Sequence, residues 1–304
     1  MSDQFSDKQQ KEHLASDDPR SRLLAKIPVR EKRFRLTGIS TTVLEGGEGS
    51  PVILLHGPGE SAIWWMRVIP KLTKTHRVIV PDLPGHGTSG LPDNTLNPSG
   101  MCEWLEEMIE KICSVPPVIV GHLLGGAIAA RFAIYKSNLV RQLVLVDSFG
   151  LEKFRPSPKF AFGLIRFLAR PSEKNYTSFL PHCLFDANNL YRQMGDDWEP
   201  FLQYNLEQAS NPNTRAAMKT FIRQFAIPKI PVEDLAGIKV PTALIWGRHD
   251  QALKLHIGEA ASERYRWPLH IIEEARDDPK MEQPEAFLEA LYSIMESDIH
   301  LKIV

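Results

Sequence analysis

The stretch that decides the fold is Pro116-Pro117-Val118-Ile119-Val120-Gly121-His122-Leu123-Leu124-Gly125-Gly126-Ala127-Ile128-Ala129-Ala130. The two prolines end whatever precedes them, because neither donates a backbone N–H. Val118, Ile119 and Val120 form an apolar, β-branched run suited to a buried parallel strand. Gly121 begins a sharp turn. Gly125 and Gly126 let a following helix come close to its neighbours, and the alanine-rich run beyond them favours helix. The segment reads as strand, tight turn and helix, with small residues on both sides of the bend.

The same rhythm extends in both directions. Upstream, the pattern from Arg30 to Leu44 suggests two strands around Leu36-Thr37-Gly38-Ile39. Pro51 to Leu55 is a buried strand that ends in His56-Gly57-Pro58-Gly59-Glu60-Ser61. A helix is expected from about Ala62 to Leu72, with Trp64 and Trp65 near its start. Arg77 to Val80 is the next strand, and it runs into the Gly/Pro-rich loop Pro81-Asp82-Leu83-Pro84-Gly85-His86-Gly87-Thr88-Ser89, a tight βα connection. Met101 to Ile112 reads as a helix with an acidic wet face. Downstream, Gln142 to Asp147 is a further strand. The rhythm then breaks. Residues 151–236 carry aromatic and apolar residues at helical spacings, interrupted by prolines, and read as a helical insertion across one end of the sheet. Strand and helix alternate again through Pro241–Trp246, Leu269–Ile272 and a last helix from Pro284 to Glu296.

Composition narrows the class. A chain of 304 residues that is 43% hydrophobic is enough for one large α/β domain with an inserted lobe. The net charge is -1 and no dense basic run stands out, which argues against nucleic acid. Cys102, Cys113 and Cys183 show neither metal-ligand spacing nor a disulfide framework, so a reducing, cytoplasmic setting is expected. The N-terminus is polar, and no apolar run is long enough for a signal segment or a membrane span. Residues 1–22 are charged and polar and read as a loose arm with, at most, a helical stretch.

Taken in order, five motifs resemble the α/β-hydrolase superfamily over nearly everything after residue 30. They are Leu54-Leu55-His56-Gly57, the loop from Asp82 to Ser89, the segment Gly121-His122-Leu123-Leu124-Gly125, Trp246-Gly247-Arg248-His249-Asp250, and Glu282-Gln283-Pro284-Glu285. The nearest likeness is to bacterial esterase-like and lactonase-like members with a helical cap. The resemblance implies an α/β fold with a mostly parallel, eight-stranded sheet flanked by helices and a helical cap inserted after the sixth strand. It divides the chain into an arm (1–29), a first core part (30–150), the cap (151–236) and a second core part (237–304).

The resemblance also exposes three departures. The family's G-x-S-x-G elbow carries its nucleophile where this chain has Leu123, which has no atom able to attack a carbonyl. The family's histidine loop has the form Gly-His-x-Pro-x-x-Glu. Here it is Arg276-Asp277-Asp278-Pro279-Lys280-Met281-Glu282, so Asp277 stands at the histidine position. The family's first oxyanion donor falls on Pro58, which has no N–H, or on Gly59 if the register slips by one; the second, from Leu124, survives. The family acid after the seventh strand is present as Asp250.

Asp250 and Asp277 are therefore expected to face each other. They would share a proton, pair with Arg248 or Arg276 as a structural ion pair, or flank a cation. The last option needs more oxygen ligands than are visible, so no metal is expected. Leu123, Leu124, Pro58, Gly59, Glu60 and Trp64 are expected around a pocket. For Glu60 a solvated place at a helix start competes with that reading. One of Trp64 and Trp65 should belong to the core and the other to the cap side. His122 is expected to pack beside the sheet, and His56 and His86 to hold their loops by hydrogen bonds. His270 lies inside a strand, and Ser148 has no evident base. Neither a phosphate loop nor a dinucleotide fingerprint is present, so no cofactor is expected.

The first functional reading is a non-hydrolytic pseudoenzyme that binds a small hydrophobic organic molecule. Two others stay open: a lyase, isomerase or cyclase using Asp/Glu proton transfer, and an ester or lactone hydrolase using acid-activated water. Fold alone does not choose among them, and the oligomeric state stays open.

Overall fold

The computed structural model describes residues 18–92 and 96–300. An eight-stranded sheet runs in the order β1-β2-β4-β3-β5-β6-β7-β8. Its strands are β1 (Arg30–Leu36), β2 (Ile39–Gly46), β3 (Pro51–Leu55), β4 (Arg77–Pro81), β5 (Val118–His122), β6 (Gln142–Val146), β7 (Thr242–Gly247) and β8 (Leu269–Ile272). β2 pairs antiparallel with β1 and β4, and every other pair is parallel.

β3, β5 and β6 are buried at every position and mostly apolar, because both faces are covered. Val52, Leu54, Val78, Val80, Val118, Val120, Val144 and Val146 pack into one core layer. Ile53, Leu55, Ile79, Ile119, Leu143 and Leu145 alternate with them and pack into the other. That is the pattern of a parallel sheet between two helical layers. β1 is the exposed edge, and the charges of Arg30, Glu31, Lys32 and Arg33 suit a strand that must not recruit another chain.

The helices in chain order are α1 (Pro19–Leu24), α2 (Ile69–Leu72), α3 (Pro98–Ile112) and α4 (Leu124–Tyr135). Six more follow β6: α5 (Pro158–Ala169), α6 (Glu173–Cys183), α7 (Ala187–Met194), α8 (Trp198–Ser210), α9 (Pro212–Phe221) and α10 (Val232–Ala236). The last three are α11 (His256–Tyr265), α12 (Pro279–Glu282) and α13 (Pro284–His300). Helices α5 to α10 form the cap between β6 and β7. Its short helices start where the sequence supplies a side-chain cap: Ser157, Ser172, Asp186 and Asn211 each accept an N–H from the first turn. Pro158 and Pro212 sit at first helical positions, where a missing N–H costs nothing.

Two expectations need correction. The helix expected from Ala62 to Leu72 is a single 3-10 turn, Ala62–Trp65, followed by α2. Pro70 lies in the first turn of α2 and cannot extend a helix from upstream. The expected arm also stops earlier. Its residues 1–17 lie outside the described residues, but Pro19–Leu24 form a helix capped by Asp18, with Arg20 and Leu23 buried.

Candidate functional site

The segment Gly121–Gly126 makes a strained bend between β5 and α4. A Cβ on Gly121 would run into the Gly125 carbonyl, and one on Gly125 into the Leu55 carbonyl. Leu123 therefore sits at the apex with φ 45° and ψ -104°, a conformation that an L-residue rarely adopts. Three backbone bonds hold it: Leu123 N–H donates to Val146 O (3.0 Å), and Phe149 N–H (3.1 Å) and Ala127 N–H (3.2 Å) donate to Leu123 O. The bend that would present a nucleophile instead presents a leucine side chain to a cavity. Leu124 opens α4, so its N–H is among the unpaired donors of the helix start. Its side chain packs into the core layer and does not line the cavity.

The cavity lies between the strand ends and the cap, with about 140 Å³ open to the centres of water molecules. Leu123, Pro58, Gly59 and Trp64 contribute from the core. Phe154, Phe160, Phe167 and Phe179 contribute from the cap side, and the exposed Arg215 lies at the rim. Trp64 ties the layers together by donating from Nε1 to Asn205 Oδ1 at 2.9 Å, whereas Trp65 is wholly buried in the core.

Two groups of buried polar side chains meet at the cavity floor. The first is Asp147, Asp250 and Asp277. Asp250 Oδ1 accepts from Ala252 N–H (2.7 Å) and Leu253 N–H (2.9 Å), which fixes the turn after β7. Asp147, with φ 41° at the end of β6, accepts from Gly247 N–H at 3.1 Å. The Asp147 and Asp250 carboxyls lie close enough for the charge of one to act on the other. Burial pushes Asp250 up to about 7, against the pull of the Leu253 and Ala252 N–H groups. Burial, then the charge of Asp250, push both Asp147 and Asp277 well above the usual aspartate range. Asp147 Oδ2, Asp250 Oδ2 and Asp277 Oδ1 have no hydrogen-bond donor in the structure, so they are acids that share or keep protons.

This alters the expected pairing. The expected pair gains a third member, because the charge of Asp250 acts on Asp147 and Asp277 alike. Neither arginine joins them: Arg248 Nε donates to Glu273 Oε2 at 2.6 Å, and Arg276 donates to the Pro181 carbonyl. Arg248 is exposed, and Arg276 is half-buried with its Nε unpartnered.

The second group is Glu60, His122, Asp278 and Lys280. His122 Nε2 lies 2.5 Å from the Asp277 carbonyl, so that nitrogen carries hydrogen and donates. Its Nδ1 lies 3.0 Å from Lys280 Nζ and 3.3 Å from Glu60. Lys280 Nζ is also 2.5 Å from Asp278 Oδ1 and 3.7 Å from Glu60 Oε2, and it faces the Trp64 and Trp65 rings at 5.6 and 5.2 Å. Burial alone would raise Glu60, but Lys280 and then His122 hold it far below the usual glutamate range. Burial pushes Asp278 up, and Lys280 pulls it back. Glu60, His122 and Asp278 bring ligand atoms close enough to hold a metal ion. The Lys280 ammonium already stands among those atoms, so a metal ion would have to displace it. The donor set is a clamp for an internal cation.

Glu60 is thus buried, and its Oε2 accepts from Gly57 N–H at 2.8 Å rather than facing solvent at a helix start. His122 lies off the cavity lining, yet it grips the loop that carries Asp277. His56 and His86 hold loops: His56 Nε2 accepts from Leu83 N–H (2.9 Å), and His86 Nδ1 meets the Pro84 carbonyl (3.2 Å). Ser148 is wholly buried and donates to the Phe149 carbonyl, and His270 lies on β8 away from the cavity. Sequence reasoning missed Asp147, Asp278, Lys280 and Cys183. Asp147 had a readable signal, since it ends β6 as Asp250 follows β7. Cys183 lines the cavity, where burial and then Asp277 push its thiol well up, so it is no thiolate.

Comparison with known proteins agrees with this frame. An uncharacterised protein of Mycobacterium tuberculosis is 28% identical over 276 residues, covering 83% of this chain and 76% of its own. A 2-hydroxy-6-oxo-2,4-heptadienoate hydrolase of Pseudomonas putida is 27% identical over 238 residues, covering 72% of this chain and 78% of its own. The structure of a 2-hydroxy-6-oxo-6-phenylhexa-2,4-dienoate hydrolase from a Rhodococcus strain superimposes with a TM-score of 0.78 at 22% identity, over 89% of this chain and 99% of that one. The model of the alpha/beta hydrolase family matches residues 52–290, and with its sheet order, bend and cap in place this chain belongs to that family.

Proposed function

We propose that this chain is a non-hydrolytic member of its family that binds a small, largely apolar organic molecule between core and cap. One observation carries the reading: the apex of the bend lines the cavity with Leu123, and the loop that would bring a base to it brings Asp277. The covalent route fails at both ends. Leu123 offers no nucleophile, and a protonated aspartic acid does not take a proton from one. With the first oxyanion donor at Pro58 there is no N–H to give, and a lost donor of this kind costs about 3 kcal/mol of transition-state stabilisation; Gly59, which also lines the cavity, is the alternative donor. The aromatic and aliphatic walls suit a small ligand whose few polar groups reach the floor. The relatives named as hydrolases act on hydroxy-oxo-dienoates, and their chemistry does not transfer without a nucleophile and base. The three cysteines are free, in keeping with a reducing, cytoplasmic setting, and among the described residues no helix is long and apolar enough to cross a membrane.

The test pairs a chemical probe with a binding measurement. A fluorophosphonate should leave the purified protein unlabelled, and short activated esters should turn over at background rate. Small aromatic ligands should raise the thermal midpoint, and Leu123→Trp, which fills the cavity, should abolish that rise. An acyl or phosphonyl adduct on the native chain would overturn the reading.

A second reading is favoured by the Asp250 carboxyl, poised at about 7 beside the protonated Asp277. Such a group suits proton transfer in a lyase, isomerase or cyclase, or activation of water on an ester or lactone. Turnover without an adduct, lost in Asp277→Asn, would select it.

A further inference from the structure

We propose that the ligand is a small organic amine held as its ammonium ion, with the charged head at Asp277 and the apolar body among the aromatic walls. This rests on the reading that the cavity binds a small molecule, and adds the charge and class of that molecule.

The first argument is an uncompensated carboxyl. Asp277 is buried, lines the cavity, and its Oδ1 has no hydrogen-bond donor in the structure. Behind it, Asp250 Oδ2 and Asp147 Oδ2 are in the same condition. An orphaned buried acceptor is costly even when neutral, and a ligand donor would remove that cost.

The second argument is a charge count at the floor. Glu60, Asp147, Asp250, Asp277 and Asp278 are five carboxyls, and Lys280 is the one lysine or arginine side chain that pairs with any of them among the described residues. Lys280 is committed to Asp278, Glu60 and His122. Arg248 and Arg276 are turned to Glu273 and to the Pro181 carbonyl. Glu282, which also faces Asp277, adds acid rather than base and is occupied by the Arg276 N–H. Cys183 adds no positive charge, and Arg215 is an exposed residue at the rim. A carboxylate ligand would meet this floor at a repulsive disadvantage. A neutral acceptor would satisfy one proton of the cluster and leave its orphaned oxygens without a donor. An ammonium offers three donors to those oxygens, and its charge favours the ionised form of the carboxyl it meets.

The third argument is that the same floor already houses an ammonium. Lys280 Nζ sits between carboxylates with the Trp64 and Trp65 rings at 5.6 and 5.2 Å. Trp64 also lines the cavity, together with Phe149, Phe154 and Phe179, so aromatic rings of the kind that flank Lys280 border the open space as well. Its size suits one ring on a short chain.

The experiment is titration calorimetry of the full-length protein at neutral pH with three probes of one skeleton: phenethylamine, phenethyl alcohol and phenylacetate. The amine should bind about 10-fold or more tighter than the alcohol, the gain of a charge-assisted hydrogen bond, and phenylacetate should not bind. Asp277→Asn should erase the amine's advantage over the alcohol. The comparison among probes on the native chain tests the proposal even if that variant fails to fold. Alcohol binding as tightly as amine, or an amine advantage that survives Asp277→Asn, overturns the inference and leaves the small-molecule reading standing. Phenylacetate as the tightest probe overturns it outright. If none of the three binds, both readings fall together.

Discussion

Lys280 is the residue on which the floor of the site depends. Its ammonium is wholly buried and neutralises part of a cluster that burial would otherwise discharge. Lys280→Met keeps the stem and removes the charge, leaving Glu60 and Asp278 buried without a counter-ion. Breaking a buried pair this way costs about 3–5 kcal/mol. Urea unfolding should show a loss in that range at neutral pH, and a smaller one in acid, where the abandoned carboxyls take up protons. Asp250 gives a second prediction, with a defined sign. Burial raises its folded pKa to about 7, while an unfolded aspartate titrates near about 3.9. Between those values the folded state binds more protons, so this residue makes stability fall as pH rises, by at most about 1.4 kcal/mol per pH unit for one proton, with no further loss above the folded value. Asp250→Asn should flatten that part of the stability–pH curve. A curve that keeps its slope in the variant would assign the proton elsewhere. Asp250 and Asp277 were readable from their motif positions. Lys280 was not, because Asp278-Pro279-Lys280-Met281-Glu282 reads as a solvated charge run. Only a four-residue helix that turns its lysine under two tryptophans makes that lysine internal.

At the scale of elements, the bend and the α12 loop can be tested as a pair. The bend keeps the glycines and the positive φ of a nucleophile turn although its apex is Leu123. Such a conformation costs about 1–3 kcal/mol and persists because β5, α4 and Leu55 over-determine it. Leu123→Ser alone should give no ester turnover, since its hydroxyl would meet an acid. Leu123→Ser with Asp277→His should give slow turnover, because Asp250 could orient the new imidazole. Adding Asp250→Asn should abolish it. Background rates in the double variant would show that the missing Pro58 donor or the bulk of Arg276 still blocks the site. The strands and the bend were legible because sheet periodicity and glycine sterics are local. The interval from Ala62 to Leu72 was not, since apolar spacing alone suggests one helix. Pro70 and the Ser61 cap divide it into a turn and a short helix, and that turn is what carries Trp64 to the cavity and Trp65 to the core.

Across the whole molecule, one side chain ties the N-terminal helix, the sheet and the cap together. Arg20, from a stretch whose composition suggests a loose arm, is buried. Its Nε pairs with Glu31 on β1 at 3.0 Å, its Nη2 with Asp82 at 3.0 Å, and its Nη1 donates to the Tyr204 hydroxyl on α8 at 2.7 Å. Burial works against the charge, but Asp82, Tyr204 and Glu31 hold the guanidinium proton more firmly than usual. No local pattern reveals such a residue, because its partners come from three distant parts of the chain. Asp82 is fully buried, and its other bonds, from Ala62 N–H at 2.8 Å and Thr88 N–H at 3.0 Å, position the loops beside the cavity. Arg20→Ala should therefore cost about 3–5 kcal/mol, mostly from stranding the Asp82 carboxylate. Arg20→Lys should recover only part of that, because a single ammonium cannot reach three partners as the planar guanidinium fork does. High salt should not mask the loss, since a buried pair is poorly screened. Hydrogen exchange separates local from global effects. Amides of α8 should lose protection more than those of β5 and β6, and ligand affinity should fall as the cap loosens. Equal loss in cap and sheet would show that Arg20 stabilises the fold as a whole without a particular hold on the cap.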